Sequence, residues 1–173
     1  MQDFKYKVGM YGGCFDPLHQ GHLYTIERAA SECEELWLVL SWSVSRDHVD
    51  WKTRVSHLKR AAACYPNVKV FAVEDKCSTK AEYNQGSNWL EGSIEIKRTI
   101  GKHIDVVYCS DEYDTDDSPY KKCYPESTLI FIDRSRYKCS SSETFLSELG
   151  HYDDFTWVKG SMSNTACNNG IGS

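Results

Sequence analysis

Strand and helix signals alternate through the first 150 residues of this 173-residue chain, which is the pattern of an α/β domain built on a parallel sheet. Tyr6, Val8 and Met10 alternate with Lys5, Lys7 and Gly9 as a first strand, and Leu23, Ile26, Ala30 and Cys33 follow at helical spacing. Leu36 to Ser41 is an unbroken apolar run, as expected of a central strand covered by helices on both faces. Val55, Leu58, Ala62 and Tyr65 mark a second helix that Pro66 and Asn67 end, before a third strand over Val68 to Val73. Trp89, Ser93, Ile96 and Ile100 give a third helix closed by Gly101, and Ile104 to Tyr108 and Leu129 to Ile132 give two more strands. Ser140 to Leu149 reads as a short helix capped by its serine.

The sequence shows no internal repeat and no second domain. One domain is expected over 1–158, with a polar, glycine-rich and poorly ordered tail over 159–173. A chain of this length buries roughly 70% of its unfolded surface, enough for a core without metal or disulfide staples.

Charge narrows the partners. Twenty Lys and Arg against 25 Asp and Glu give a net charge of −5 with the basic residues scattered, so nucleic acid is not expected as a partner. The longest aliphatic and aromatic run, Leu36 to Leu40, is far short of the ~20 residues of a membrane span, and MQDFKYK lacks a signal-peptide apolar region. A cytoplasmic protein with no membrane partner is expected; assembly as a homo-oligomer is left open. The eight cysteines include no CxxC pair, so free, mostly buried thiols are expected and a thiolate metal site is not.

Two segments outside the regular elements stand out. Residues 74–87 have no apolar period and read as a long surface loop, a candidate substrate lid. Asp111, Glu112, Asp114, Asp116 and Asp117 cluster just after a strand end, where open α/β sheets place their ligands.

The stretch that carries chemistry is GGCFDPLHQGHL, residues 12–23, between the first strand and the first helix. Gly12 and Gly13 permit close backbone approach or a positive φ, and a helix N-terminus offers unpaired N–H groups and positive dipole to an anion. His19 and His22, three residues apart, lie on one side of a nascent helix and suit donation to phosphate oxygens. No third ligand at recognisable spacing supports a zinc site, and the absence of GKS, GKT or GxGxxG disfavours a kinase or a dehydrogenase.

GGCFDPLHQGHL resembles the GxFxPxHxGH signature of the HxGH nucleotidyltransferase superfamily. Through about residue 158 the chain further resembles the nicotinamide mononucleotide (NMN) adenylyltransferase domain of the bacterial NAD-regulator family. ERAASECEELWLVL, Arg46-Asp47, Arg54, Asn88-Trp89, VVYCSDEYD and IDRSRYKCSSSETF fall in register. The resemblance implies a single Rossmann-like domain with a doubly wound, five-stranded parallel sheet. It also implies that His19 and His22 bind the ATP phosphates and stabilise the reacting phosphorus. Gly12, Gly13, Cys14, Phe15, Asp16, Gly21, Asp111, Arg136 and Ser140 would hold the nucleotide. Trp89 would stack on nicotinamide, with Arg46 and Asn88 beside the NMN. From the residues alone, Trp89 also fits a core position, and Asp111 and Ser140 fit a loop or cap role.

Where the family has a final phosphate-binding arginine, this chain has Phe145, a loss of about 2–4 kcal/mol of transition-state binding unless Arg136 or Lys138 replaces it. The ribosylnicotinamide kinase domain that often follows in that family has no counterpart in NNGIGS. The activity expected is NAD and pyrophosphate formation from ATP and NMN, with Mg²⁺ carried on the ATP phosphates. Two alternatives stay open: another phosphate acceptor of the glycerol phosphate, choline phosphate or phosphopantetheine type, or a catalytically silent nucleotide sensor.

Overall fold

The computed structural model describes residues 3–77, 79–83 and 86–133. Within them β1 (Tyr6–Gly13), β2 (Cys33–Trp42), β3 (Val68–Glu74), β4 (Val106–Ser110) and β5 (Thr128–Ile132) pair in parallel as one sheet, in the order β3-β2-β1-β4-β5. Helices α1 (Gln20–Glu32), α2 (Trp51–Ala61), α3 (Lys80–Tyr83), α4 (Gly86–Ile100) and α5 (Pro119–Cys123) connect them. The sequence-based expectation of a doubly wound, five-stranded α/β sheet holds.

Both sheet faces are covered, as the central apolar run demands. On one face Leu23, Ile26 and Ala29 of α1 and Leu58 and Ala61 of α2 pack on Tyr11, Leu36, Leu38, Leu40 and Tyr108. On the other, Trp89, Ile96 and Ile100 of α4 and Tyr120 and Cys123 of α5 pack with Val8, Met10, Val39 and Val107. The period-two alternation of β1 accounts for the split: Met10 faces one layer and Tyr11 the other.

The elements differ from the expectations in ways that local chemistry explains. Cys33 starts β2 instead of ending α1, because the Asn67 amide donates to the carbonyls of Ala30 (2.9 Å) and Cys33 (2.8 Å) and so closes the helix end. Tyr65 lies beyond α2, and β4 runs from Val106 to Ser110 instead of from Ile104. Residues 74–87 are not one loop: they hold the last residue of β3, α3 and the first two residues of α4. Ser118-Pro119 opens the unanticipated α5, with proline in its first turn, where a missing N–H costs nothing. Gly101 does end α4 as expected, at φ +68° with its N–H on Lys97 O.

Five described cysteines, 14, 33, 77, 109 and 123, are free thiols, as expected; Cys64 departs from that expectation and is disulfide-bonded. The helix expected at Ser140 and the boundary at 158 lie outside the described residues. No helix among the described residues is long and apolar enough to cross a membrane.

The β1–β2 contact is close at one point. A Cβ on Gly9 would sit 2.4 Å from Cys33 Sγ and 3.1 Å from Val106 Cγ1, so only glycine fits between these strands. Gly9→Ala is expected to cost about 1–3 kcal/mol of stability by overpacking. Adding Cys33→Ala, which removes the nearer atom, should recover part of that loss, as read from urea unfolding midpoints.

Candidate active site

The strand order reverses between β2-β1 and β4-β5, so the crevice at the carboxyl ends of β1 and β4 is the topological switch point. Two residues beyond the paired Tyr11 and Tyr108 stand Gly13 and Ser110, and the chain then turns into the motif loop on one side and into Asp111 on the other. Asp111 opens a single 3-10 turn, Asp111–Tyr113, and is exposed.

The first motif residues are placed differently from the expectation. Gly12 and Gly13 are the last residues of β1 and neither has a positive φ. The left-handed residue is Phe15, at φ +49°. Its ring is buried, edge-on to Tyr11 at 5.4 Å and to His22 at 4.9 Å, so Phe15 forms the floor under the second histidine. Cys14 is exposed, while its carbonyl accepts from Arg54 at 2.6 Å.

His19 and His22 come together at the start of α1 with rings stacked 3.7 Å apart and 18° from parallel. His19 is the N-cap, and its Nδ1 accepts from the N–H groups of Gly21 (3.1 Å) and His22 (3.4 Å). His22 Nδ1 accepts in return from the His19 N–H at 3.1 Å. This is a capping box made of two imidazoles.

The capping box corrects the anion-site expectation. The N–H groups of Gly21 and His22 are spent on His19, so Gly21 serves the cap through its backbone instead of presenting an unpaired donor. With both Nδ1 atoms accepting, each neutral ring carries its proton on Nε2, the donor end of the ring. The positive end of the 13-residue α1 reinforces that polarity.

The loop is held from behind by buried charge. The Asp16 carboxylate accepts from the N–H groups of His48 (2.7 Å) and Val49 (3.2 Å), and lies 3.9 Å from Arg54 Nε. Asp16 is thus turned toward the β2–α2 loop. The Arg54 side chain is fully buried; it donates to Val49 O at 2.9 Å and to Cys14 O, and is ion-paired with Asp47. Asp47 also accepts the Ser43 N–H at 3.0 Å, and burial outweighs these partners to raise its carboxyl above the ordinary value. Arg54 stood out in the sequence only for its register; its burial and partners are tertiary facts.

On the other sheet face, a cavity of about 180 Å³ opens at the strand ends, lined by Gly12, Gly13 and Ser41 of the sheet and by Asn88, Trp89 and Tyr120. Trp89 packs edge-on against Tyr120 at 5.1 Å and Tyr113 at 5.8 Å. The Asn88 amide donates to Glu82 O at 2.6 Å and ties α4 to α3. Glu74, Asp75, Glu91 and Glu95 outnumber Lys76 among the charged lining residues, so the cavity edge is acidic on balance. Arg46 does not line the cavity: it is ion-paired with Asp75 and donates to Cys77 O at 3.0 Å. Burial, aided by Asp75, pushes the Cys77 thiol up to about 11.

The structure therefore brings Gly12, Gly13, Asn88 and Trp89 to one cavity, with His19 and His22 at the adjoining helix start. Tyr120, Tyr124 and Asp75 were missed by the sequence reading, although Ser118-Pro119 marks the helix that carries Tyr120. Arg136, Ser140 and Phe145 lie outside the described residues. Among the described residues no three His, Cys, Asp or Glu side chains converge to hold a metal.

A cytidylyltransferase-like family model matches residues 10–169. The chain belongs to the cytidylyltransferase-like family. Its members are nucleotidyltransferases, and the motif around His19 and His22 lies within the matched residues. The phosphopantetheine adenylyltransferase of Mycoplasma mycoides subsp. mycoides is 26% identical over 147 residues, 84% of this chain and 98% of that protein. The trifunctional NAD biosynthesis/regulator protein NadR of Escherichia coli is 26% identical over 122 residues, 64% of this chain and 29% of that protein. A crystal structure of NadR with NAD and AMP-PNP superposes at a TM-score of 0.64 and 21% identity, over 87% of this chain and 45% of that one. A bifunctional NMN adenylyltransferase/ADP ribose pyrophosphatase of Francisella tularensis, complexed with AMP and a manganese ion, gives 0.63 and 16% over 96% of this chain and 52% of that one. At these identities the two structures attest the fold, and this cytidylyltransferase-like chain spans about half the length of each.

Removing the buried guanidinium tests how the motif loop is held. Arg54→Met is expected to cost about 3–5 kcal/mol in urea unfolding, the penalty for stranding a buried carboxylate partner. Arg54→Lys should recover little of it, since an ammonium lacks the fork that spans two carbonyls and a carboxylate.

Proposed function

We propose that this protein is an NMN adenylyltransferase, in which the 5′-phosphate of NMN attacks the α-phosphorus of ATP, pyrophosphate leaves and NAD forms. The observation that carries the reading is the aromatic cavity around Trp89, opening at the same strand ends as the paired histidines. A flat cationic pyridinium suits an indole face and an acidic rim; a flexible neutral pantetheine arm gains less from either.

In this reading His19 and His22 donate from Nε2 to phosphate oxygens as negative charge builds on them, and the stacked geometry fixes both donors before substrate arrives. The Gly12-Gly13 backbone lets the reacting phosphates lie close to the end of β1. Asp111 accepts from the adenosine ribose hydroxyls, and Arg136 and Ser140 contribute to phosphate binding. Asn88 orients the acceptor beside Trp89. Mg²⁺ enters on the ATP phosphates and offsets their charge; the chain supplies placement.

A second reading has its own support. The Mycoplasma mycoides relative matched over nearly its whole length is a phosphopantetheine adenylyltransferase, which would keep the chemistry and change the acceptor.

The purified protein with Mg-ATP and NMN is expected to form NAD and pyrophosphate in equal amounts. His19→Ala should lower kcat by about 10²–10³, as loss of one preorganised donor does. Trp89→Ala should raise the KM for NMN while leaving ATP affinity in place. Turnover with 4′-phosphopantetheine and none with NMN would transfer the proposal to the second reading, and silence with both would overturn both readings.

A further inference from the structure

The β2–α2 loop touches both halves of the site. Toward the motif, the N–H groups of His48 and Val49 are held by the Asp16 carboxylate, and Asp47 is ion-paired with Arg54, which also holds Cys14 O. Toward the cavity, Arg46 grips Asp75 and Cys77 O, and Ser43 Oγ donates to Cys77 O at 3.1 Å. Asp75 in turn accepts the Cys77 N–H at 2.9 Å, so the cavity wall is folded around the carboxylate that Arg46 holds. Asp75 and Cys77 are both wall residues; Arg46 stands behind them.

The loop is thus pinned at one end to the histidine motif and at the other to the wall of the acceptor cavity. Displacing Asp75 outward pulls on Arg46, and Arg46 and Asp47 are adjacent in the chain. We propose that residues 43–50 are a two-ended strap that couples the acceptor cavity to the phosphate site, with Asp75 a positioning residue that acts on the motif through Arg46. The inference rests on reading the cavity as the acceptor site. The strap makes each substrate bind more tightly when the other is in place, and it couples acceptor seating to the alignment of His19 and His22. The contiguous contacts are the observation; the coupling is what the experiment measures.

The test is the affinity of a non-hydrolysable ATP analogue for the full chain, by calorimetry, with and without saturating acceptor. The wild-type affinity is expected to change by about fivefold or more, and in Asp75→Asn by less than about twofold. Turnover should show the same defect as a lower kcat with acceptor saturating. The charge-swapped pair Arg46→Asp with Asp75→Arg should restore a measurable part of the coupling, which a merely structural role would not do. Analogue binding without acceptor reports on folding in each variant.

Wild-type coupling in Asp75→Asn overturns the strap, as does absence of coupling in the wild type. Failure of NMN to bind, with binding of 4′-phosphopantetheine, overturns the NMN reading alone, and the strap is then judged with that acceptor. Binding of neither overturns both.

Discussion

Everything at the catalytic end of this molecule depends on one buried cation. The Arg54 guanidinium lies at the start of α2, yet its partners lie on the motif loop and the β2–α2 loop. A fully buried Arg is tolerable only when its charge is met, and here two carbonyls accept from it and Asp47 is ion-paired with it. The desolvation cost is offset by geometry that ordinary loop residues cannot impose. The chain leaves β1 through a left-handed Phe15 and a buried Asp16 before entering α1. Without a fixed point behind Cys14 and Asp16, nothing would set the height or angle at which His19 starts its helix.

That fixed point lies behind the loop that delivers two histidines to the start of α1. A helix N-terminus alone offers backbone N–H groups, and the motif spends two of them on the His19 ring. What the site gains in exchange is control of tautomer. Each imidazole accepts at Nδ1 and so presents a proton at Nε2, and stacking at 3.7 Å keeps the two rings from reorienting independently. Preorganised donors of this kind favour the charge of a transition state over that of the ground state, because no reorganisation is paid during the reaction. The Phe15 ring under His22 completes the arrangement, which is why a bulky residue occupies a backbone conformation more often left to glycine.

The sequence carried the fold well because the determinants were local and periodic. The run around Leu38 demanded two covered faces and Gly101 marked the end of α4, while α2 stops at Ala61, short of the Pro66 expected to end it. His19, His22, Trp89 and Asn88 were legible because a contiguous motif and a helix start place them in register. Asp16 was legible as a residue but not as a role: its orientation depends on His48 and Val49, more than thirty residues away. Tyr120 and Asp75 were hidden for a similar reason. Each belongs to a short element, α5 or the chain just after β3, whose place beside Trp89 is set by the winding of the sheet and not by neighbours in sequence.

Taken as the acceptor site, the cavity around Trp89 separates common chemistry from individual specificity on one scaffold. The histidines, α1 and the end of β1 sit at the switch point, and in the proposed function they address phosphates, a feature every substrate of this reaction class shares. The cavity is lined beyond the sheet from α4, α5 and the segment after β3, the last of which touches the β2–α2 loop where Arg46 holds Asp75 and Ser43 and Arg46 meet Cys77 O. In this chain that lining supplies an indole held edge-on by two tyrosines and an acidic rim. Rigid aromatic walls select by shape and charge with little entropy lost on binding, which favours a planar cation over a flexible chain. In the proposed function acceptor identity is therefore written in Trp89 and its surroundings, while the motif loop serves the phosphate chemistry common to nucleotidyltransferases.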